Sequence, residues 1–305
     1  MLNGIINIYK ERGYTSHDVV AKARGILGIR KIGHTGTLDP EARGVLPICI
    51  GKATKVSEIL LNADKRYTAN VCLGVTTTTE DATGEIIEEK PIDLTKEQIE
   101  EVVGSFIGQY EQVPPMYSAL KVNGKKLYEL AREGKEVKRK ARKVTIYECK
   151  VVEYISPSEF VLDVKCSKGT YVRTLCSDIG NKLGTGAHMK SLLRTEVANF
   201  NLSNSITLSQ LEELMKQGRV ESVLTEIDKM FLDLPKLHVK TKGNNYLYNG
   251  NQLSEDLIIG DVDTNLHKKV RIYDYEGVFV GIYTIKQRSS NIYFIPQKMF
   301  LSRNI

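Results

Sequence analysis

Residues 34–47, HTGTLDPEARGVLP, pack Gly36, Gly44, Pro40 and Pro47 around a single aspartate, Asp39. Glycine and proline at this density interrupt helix and strand alike, so the chain has to turn here. His34 lies just before the carboxylate and Arg43 just after it. A surface loop needs no such arrangement. Three readings of Asp39 are open at this point: a nucleophile, an acid–base catalyst, or an Asx-turn or helix-cap residue.

Regular patterns lie on either side. In HDVVAKARGILGI, residues 17–29, Val19, Val20, Ala23, Ile26 and Leu27 share one helical face, with Ser16 placed to cap it. RYTANVCLG alternates Tyr67, Ala69, Val71 and Leu73 on one side, as a strand does. TTTTEDATGE reads as a polar loop. LTKEQIEEVVGSF predicts a helix with Thr95 and Gln98 as a capping box and Ile99, Val102, Val103 and Phe106 as its buried stripe. QVPPMYSAL must be extended or turned, because each proline restricts the residue before it. KVTIYECKVVEY and FVLDVKCS predict two strands. KGTYVRTLCSDIGNKLG then switches period from two to about 3.6, marking a strand–turn–helix junction. TLSQLEELMKQG predicts a further helix, capped by Thr207 with Gln210 and stopped at Gly218. From about Leu232 the texture changes. KKVRIYDYEGVFVGIYTIK alternates as two strands around a Tyr-Glu-Gly turn, and NIYFIPQKMFL adds another. A separate small β domain of about 70 residues is expected there.

Composition narrows the setting. The 305 residues accommodate two domains, and 41% hydrophobic with 26% charged residues describes an ordinary globular chain. No apolar run approaches the roughly 20 residues that span a bilayer, and the N-terminal MLNGIINIYKERG lacks the pattern of a secretory signal. The five cysteines (Cys49, Cys72, Cys149, Cys166, Cys176) are scattered, with no C-x-x-C. Reduced thiols in a cytoplasm are expected, not disulfides or a zinc site.

Net charge is +6, which leans towards an anionic partner. The segment 121–143 carries ten Lys/Arg and three Glu, more net positive charge than the whole chain. It is either a solvated helix face or an electrostatic contact with nucleic-acid phosphates, with Lys138, Arg139 and Lys140 as its densest run.

Several standard sites are absent from the sequence. There is no G-x-x-x-x-G-K-[ST] or G-x-G-x-x-G phosphate cradle and no G-x-S-x-G. The histidines (His17, His34, His188, His238, His267) form no H-x-x-x-H pair. What remains is Asp39, in a turn whose glycines allow close approach of a large ligand. The junction from Lys168 to Arg173 looks built for an anion, with a helix N-terminus and two cations together. An Arg beside Asp39 would keep the carboxylate ionised, typically lowering its pKa by about 1–3 units, and an ionised, positioned carboxylate can attack as a nucleophile.

Gly36, Leu38, Asp39, Ala42, Gly44 and Leu46 match the pattern G-x-L-D-x-x-A-x-G-x-L, and the turn thereby resembles the catalytic motif of pseudouridine synthases. GHTGTLDPEARGVLPICIGKATK is similar to the TruB family in particular, the bacterial tRNA pseudouridine-55 synthases. The likeness runs over nearly the whole chain. YKERGYTSHD resembles the family's opening D-K-P-x-G-x-T-S, with Lys10, Gly13, Thr15 and Ser16 kept and Tyr9 and Glu11 where Asp and Pro are usual. PPMYSALKVNGKKLYELAREG and CSKGTYVRTLCSDIG resemble family signatures, and KRYTANVCLG carries its active-site Tyr at Tyr67. In SLLRTEVANF, Leu192 and Arg194 are kept, while Leu193 stands where a second Arg is common and Ala198 where Gly is common.

The resemblance implies an α+β catalytic domain over residues 1–231, with a mixed, largely antiparallel sheet, flanking helices and a basic RNA-contacting insertion at about 114–143. A small β-barrel-like PUA domain would follow over 232–305. It implies isomerisation of a uridine in the tRNA T-loop (position 55), with no cofactor or metal required, no membrane and no obligatory protein partner. Asp39 is the implied nucleophile. His34 would fill or brace the gap left by the flipped nucleotide, and Tyr67 would stack on the uracil. Tyr171 and Leu192 would complete the pocket, with Arg173 paired to Asp39 and Lys10 supporting. Two other classes stay open beside this one: a glycosidase-like hydrolase, which normally needs a second carboxylate, and a non-catalytic RNA-binding protein, which would not need Asp39. A synthase partnered with guide RNA is a nearer alternative, though its chains usually carry longer basic tails.

Overall fold

The computed structural model of the chain describes residues 2–122, 124–261, 268–289 and 291–301; His267 lies outside them. The main body is built on β1 (Gly4–Lys10), β2 (Ile32–His34), β3 (Arg43–Ile50), β4 (Lys65–Leu73), the hairpin of β5 (Val75–Thr77) and β6 (Ile86–Glu89), and β7 (Gly108–Gln112). A short hairpin, β8 (Lys121–Val122) and β9 (Lys125–Lys126), precedes β10 (Arg142–Ser156), β11 (Glu159–Cys166), β12 (Ala187–Val197) and β13 (Phe200–Asn201). The helices are α1 (Ser16–Leu27), α2 (Ser57–Asn62), α3 (Lys96–Gly104), α4 (Leu127–Arg132), α5 (Val172–Lys182), α6 (Leu208–Lys216) and α7 (Asn244–Tyr248). No helix among the described residues is long and apolar enough to cross a membrane.

Nine strands form one sheet in the order β1-β3-β12-β4-β11-β10-β7, with β2 on β3 and β13 on β12. Among the described residues its pairings are antiparallel except one. Strands β3 and β12 run parallel and meet over two residue pairs, Leu193 with Arg43 and Arg194 with Gly44. Gly44 makes this approach possible. It sits at φ +109, and a Cβ there would lie 2.1 Å from the Arg194 carbonyl oxygen. The sheet is therefore two half-sheets joined at a seam. Helices α1 and α6 cover one half, around Ile6, Ile8, Val19, Leu46, Ile48 and Leu211. Helices α3 and α5 cover the other, around Val71, Val103, Leu162, Leu175 and Ile179. Each such fully buried side chain contributes about 1.5–3 kcal/mol.

The local signals resolve as follows. In β4, Tyr67, Ala69, Val71 and Leu73 are buried and the residues between them half-buried, the alternation read from the sequence. Helices α3 and α6 begin at Thr95 and Thr207 with the expected capping boxes. Helix α1 differs. Its cap is Thr15, boxed with Asp18, and not Ser16. Ser16 is buried and spends its hydroxyl elsewhere, on the turn before Asp39. The basic segment is not one helix face: α4 is short, residues 135–141 are irregular, and Arg142 and Lys143 already belong to β10.

A second, barrel-like sheet of six strands follows, in the order β15-β19-β18-β17-β14-β16. These are β14 (Lys236–Val239), β15 (Leu253–Ser254), β16 (Ile258–Ile259), β17 (Lys269–Tyr273), β18 (Phe279–Arg288) and β19 (Asn291–Met299). It has its own core, including Leu237, Val270, Ile272, Tyr283 and Phe294. Its Ile282 and Phe300 also join Cys49, Ala53, Val56 and Ile227 in a shared apolar cluster.

Candidate active site

Asp39 lies in the turn between β2 and β3, beside the seam. The turn is fixed from within: the Ala42 N–H donates to the Asp39 carbonyl at 3.1 Å, with Pro40 following Asp39. Proline pre-sets the backbone of the second turn position. Leu38 and Ala42, each nearly fully buried, anchor the turn in the core on both sides. The flanks are tied to α1 and β1. The Leu38 N–H donates to Ser16 Oγ at 2.9 Å. Lys10 is fully buried, and its Nζ donates to the carbonyls of Glu11, Pro40 and Ala42 at 3.1, 3.0 and 2.7 Å. Burial lowers the Lys10 pKa to about 8. Lys10 is thus a strut beneath the turn, satisfying backbone acceptors that would otherwise be buried unpaired.

Arg173 crosses the seam to reach Asp39. It stands in the first turn of α5, nearly buried, and its Nη2 donates to Asp39 Oδ2 at 2.7 Å. Its Nη1 lies 3.6 Å from Asp81 Oδ2. Asp81 is held in turn by Thr79 Oγ1, at 2.7 Å, and the Thr83 N–H, at 2.9 Å, both donating to its Oδ1. TTTTEDATGE, read as a polar loop, therefore supplies a second carboxylate to the Arg173 fork. It also supplies Glu80, which accepts from Thr174 Oγ1 and sits at φ +63. The Thr-rich loop composition gave no sign of this; the β5–β6 hairpin and the Asp81–Met189 bridge to β12 fold it back onto the site.

The pKa of Asp39 is displaced in the direction opposite to expectation. Its side chain is 42% exposed, with protein packed around the remainder. That loss of hydration pushes its pKa above the usual carboxylate range, with Arg173 and Lys10 opposing and Asp81 adding to the rise. A neighbouring Arg lowers a carboxylate pKa as expected; here desolvation is the larger effect. The second expected cation, Lys168, is not at the site: its Nζ donates to Asn62 Oδ1 at 2.7 Å.

The remaining wall comes from β4, β12 and α5. Tyr67 on β4 is paired in register with Arg194 on β12, and Leu192 with Ala69. Tyr67 and Leu192 are each 9% exposed. The Tyr67 hydroxyl lies beside the buried Arg194 guanidinium, and burial pushes its pKa up against the pull of that charge. Arg194 itself is almost fully buried, with Nε donating to the Val45 carbonyl at 2.7 Å. Tyr171 precedes α5 at its N-cap. Gln112 holds it: Nε2 donates to the Tyr171 carbonyl at 2.9 Å, and the Tyr171 N–H donates to Oε1 at 2.8 Å. His34, at the end of β2, accepts the Gly36 N–H on Nδ1 at 3.3 Å and meets the His17 ring edge-on, 5.1 Å between centroids. Burial, and then the neighbouring His17, lower its pKa.

The turn and α5 thus bring Asp39 and Arg173 into direct contact, with Lys10 braced beneath the turn and Tyr67, Leu192 and Arg194 on adjoining strands. Lys138, Arg139 and Lys140 lie apart on the basic segment. Lys138 and Lys140 are exposed, whereas Arg139 is largely covered and donates to the Pro114 carbonyl at 3.0 Å. Asp81, Glu80 and Gln112 were not singled out from sequence, and Ser16 was read as a helix cap, not as a partner of the turn. Only Ser16 carried a local signal: Asp18, three residues after Thr15, marks Thr15 as the cap and frees Ser16. Among the described residues no group of three or more His, Cys, Asp or Glu is gathered as a metal site would require.

Comparison with known proteins is consistent along the chain. Residues 24–172 match the family model described as TruB family pseudouridylate synthase (N terminal domain). Residues 173–235 match that of the tRNA pseudouridylate synthase B C-terminal domain. The chain is 49% identical over 310 residues to a tRNA pseudouridine synthase B of Lachnoclostridium phytofermentans, covering 98% of this chain and 100% of the relative. It is 46% identical over 294 residues to one of Alkaliphilus oremlandii, covering 96% and 97%. Among solved structures it is similar to a chain of an H/ACA RNP bound to a substrate RNA containing 2′-deoxyuridine, with TM-score 0.72 and 27% identity over 99% of this chain and 86% of that one. A chain of a Cbf5-Nop10-Gar1 complex gives TM-score 0.71 and 29% identity over the same shares.

Proposed function

The chain belongs to the TruB family of pseudouridine synthases, and we propose that the uridine it isomerises in tRNA is the one at position 55, in the T-loop. The reaction conserves atoms. The bond from uracil N1 to ribose C1′ breaks, the base turns, C5 bonds to C1′, C5 loses a proton and N1 gains one. The base must first leave its stack, as in other enzymes that work on a nucleobase.

The observation that carries the assignment of roles is the Asp39–Arg173 contact, held across the seam by buried supports. Asp39 is the nucleophile. Its side chain remains partly exposed, and Arg173 stabilises the anion that burial disfavours. Tyr67 stacks on the uracil and stands near C5, with its phenol neutral and oriented by Arg194. Leu192 and Tyr171 close the pocket. His34 braces the gap left by the extruded nucleotide. Lys138 and Lys140 meet the phosphates of the RNA, and the C-terminal barrel-like sheet grips a more distant part of it.

A hydrolase would release free uracil. The second carboxylate at the site, Asp81, is tied to Arg173 and to two threonines, which supports a buttress and not a general acid. The relatives at 46–49% identity bear the name tRNA pseudouridine synthase B, which favours tRNA as substrate over a guide-RNA particle.

The test is incubation with an unmodified tRNA transcript, mapping of pseudouridine and measurement of free uracil. Pseudouridine at position 55 without uracil release is expected. Modification at another uridine would overturn the site, and released uracil would overturn the reaction.

A further inference from the structure

The basic segment is fastened at its base, and the fastening leads to the active site. Gln112 ends β7, is 2% exposed, and holds both backbone groups of Tyr171. Two residues later the Pro114 carbonyl accepts from Arg139 Nη1 at 3.0 Å, closing the segment on itself. Arg139 is 19% exposed, in contrast with its neighbours Lys138 and Lys140. Its Nη2 has a distant partner, Glu136 at 3.6 Å, and its buried Nε has none. A guanidinium turned inward in this way does not present its fork to a phosphate. It lies within electrostatic reach of Glu80, the acceptor for Thr174 Oγ1. Thr174 follows Arg173 in the first turn of α5. The base of the segment therefore approaches that turn at Tyr171, through Gln112.

We propose that Arg139 is a positioning residue for the isomerisation. By closing the segment onto Pro114 it fixes Gln112, and through Gln112 the wall that carries Tyr171 and Arg173. Lys138 and Lys140, on either side, remain the electrostatic contacts. The proposal rests on the reading of Asp39 and Arg173 as the reacting site.

Steady-state pseudouridine formation on an unmodified tRNA transcript tests it, each variant first confirmed folded by circular dichroism. Arg139→Ala is expected to lower kcat about ten- to a hundredfold, the cost of a small misplacement in a reacting geometry, with the salt dependence of KM unchanged. Arg139→Lys, which still offers a donor to Pro114, recovers part of the loss. The Lys138→Ala, Lys140→Ala double variant shows the opposite split, in KM and its salt dependence. Gln112→Glu keeps an acceptor for the Tyr171 N–H and loses the amide donor. It lowers kcat, and combined with Arg139→Lys the loss is smaller than the product of the two single effects. Wild-type kcat in Arg139→Ala, or effects of Gln112→Glu and Arg139→Lys that multiply independently, would overturn the proposal. Should Arg139→Ala fail to fold, the Arg139→Lys and Gln112→Glu pair decides alone. A wild-type chain that forms no pseudouridine would be a separate result, against the function itself.

Discussion

Arg173 meets Asp39 across the joint of two half-sheets, 2.7 Å from guanidinium to carboxylate, although the two residues are 134 positions apart in the chain. Neither residue's own segment contains the site. The contact is made by the sheet, which places the β2–β3 turn opposite the first turn of α5.

Replacing Asp39 with Asn keeps size and hydrogen bonding and removes the charge. Binding of tRNA within a few-fold of wild type and no detectable pseudouridine are expected. Filter binding and pseudouridine mapping on the same preparation check both, and appreciable product would remove Asp39 as nucleophile. Arg173→Lys should also lose turnover, because an ammonium cannot span Asp39 and Asp81 as the planar fork does.

Tyr67→Phe keeps the stacking face, worth about 1–3 kcal/mol per base in single-strand binders. It loses the hydroxyl that lies beside Arg194. If that hydroxyl takes part in proton removal from C5, kcat collapses while affinity holds. Normal turnover in the Phe variant would reduce Tyr67 to a stacking platform.

Ala198, which stands where the family commonly has Gly, sits at φ +51. The left-handed region is strained for a residue with a Cβ. Ala198→Gly is therefore expected to stabilise the fold by about 1 kcal/mol, the strain relieved exceeding the entropy that Gly adds to the unfolded chain. A lower thermal midpoint for the Gly variant would contradict this.

Burial holds Lys10 and Lys65 at about 8, against an ordinary value of 10.5. Unfolded, each keeps its proton to the higher value. Between about pH 8 and 10.5 the unfolded chain therefore binds more protons than the folded one, and stability rises with pH. Denaturant unfolding of wild type and Lys10→Met across this window isolates the Lys10 share. Wild type should gain stability relative to the variant as pH increases; a constant or falling difference would refute the assignment.

What the sequence revealed divides by physical range. Capping boxes and the alternation of β4 are local, and they could be read residue by residue. The contact of Arg173 with Asp39 was expected from family likeness and not from spacing. Ser16 and Thr15 are adjacent hydroxyls, and the choice between them turned on Asp18. Gln112 had no pattern to mark it, because its role is set by the backbone of Tyr171 on a distant element. Asp81 sat in a run of threonines that any solvent loop could contain. The pKa of Asp39 followed the least legible quantity, the water lost from a carboxyl when the half-sheets close around it.

The seam also sets when the protein can first act. Arg194 and Val45, which bond across it, are 149 positions apart. Hairpins such as β10 with β11 join neighbouring stretches and can form early, whereas contacts between distant segments come late because loop closure must precede them. During synthesis the ribosome delivers Asp39 and Tyr67 long before Arg173 and Leu192. On the proposed roles, a nascent chain is inert until its second half-sheet docks, and a protein stalled before that joint closes carries Asp39 without its Arg173 partner.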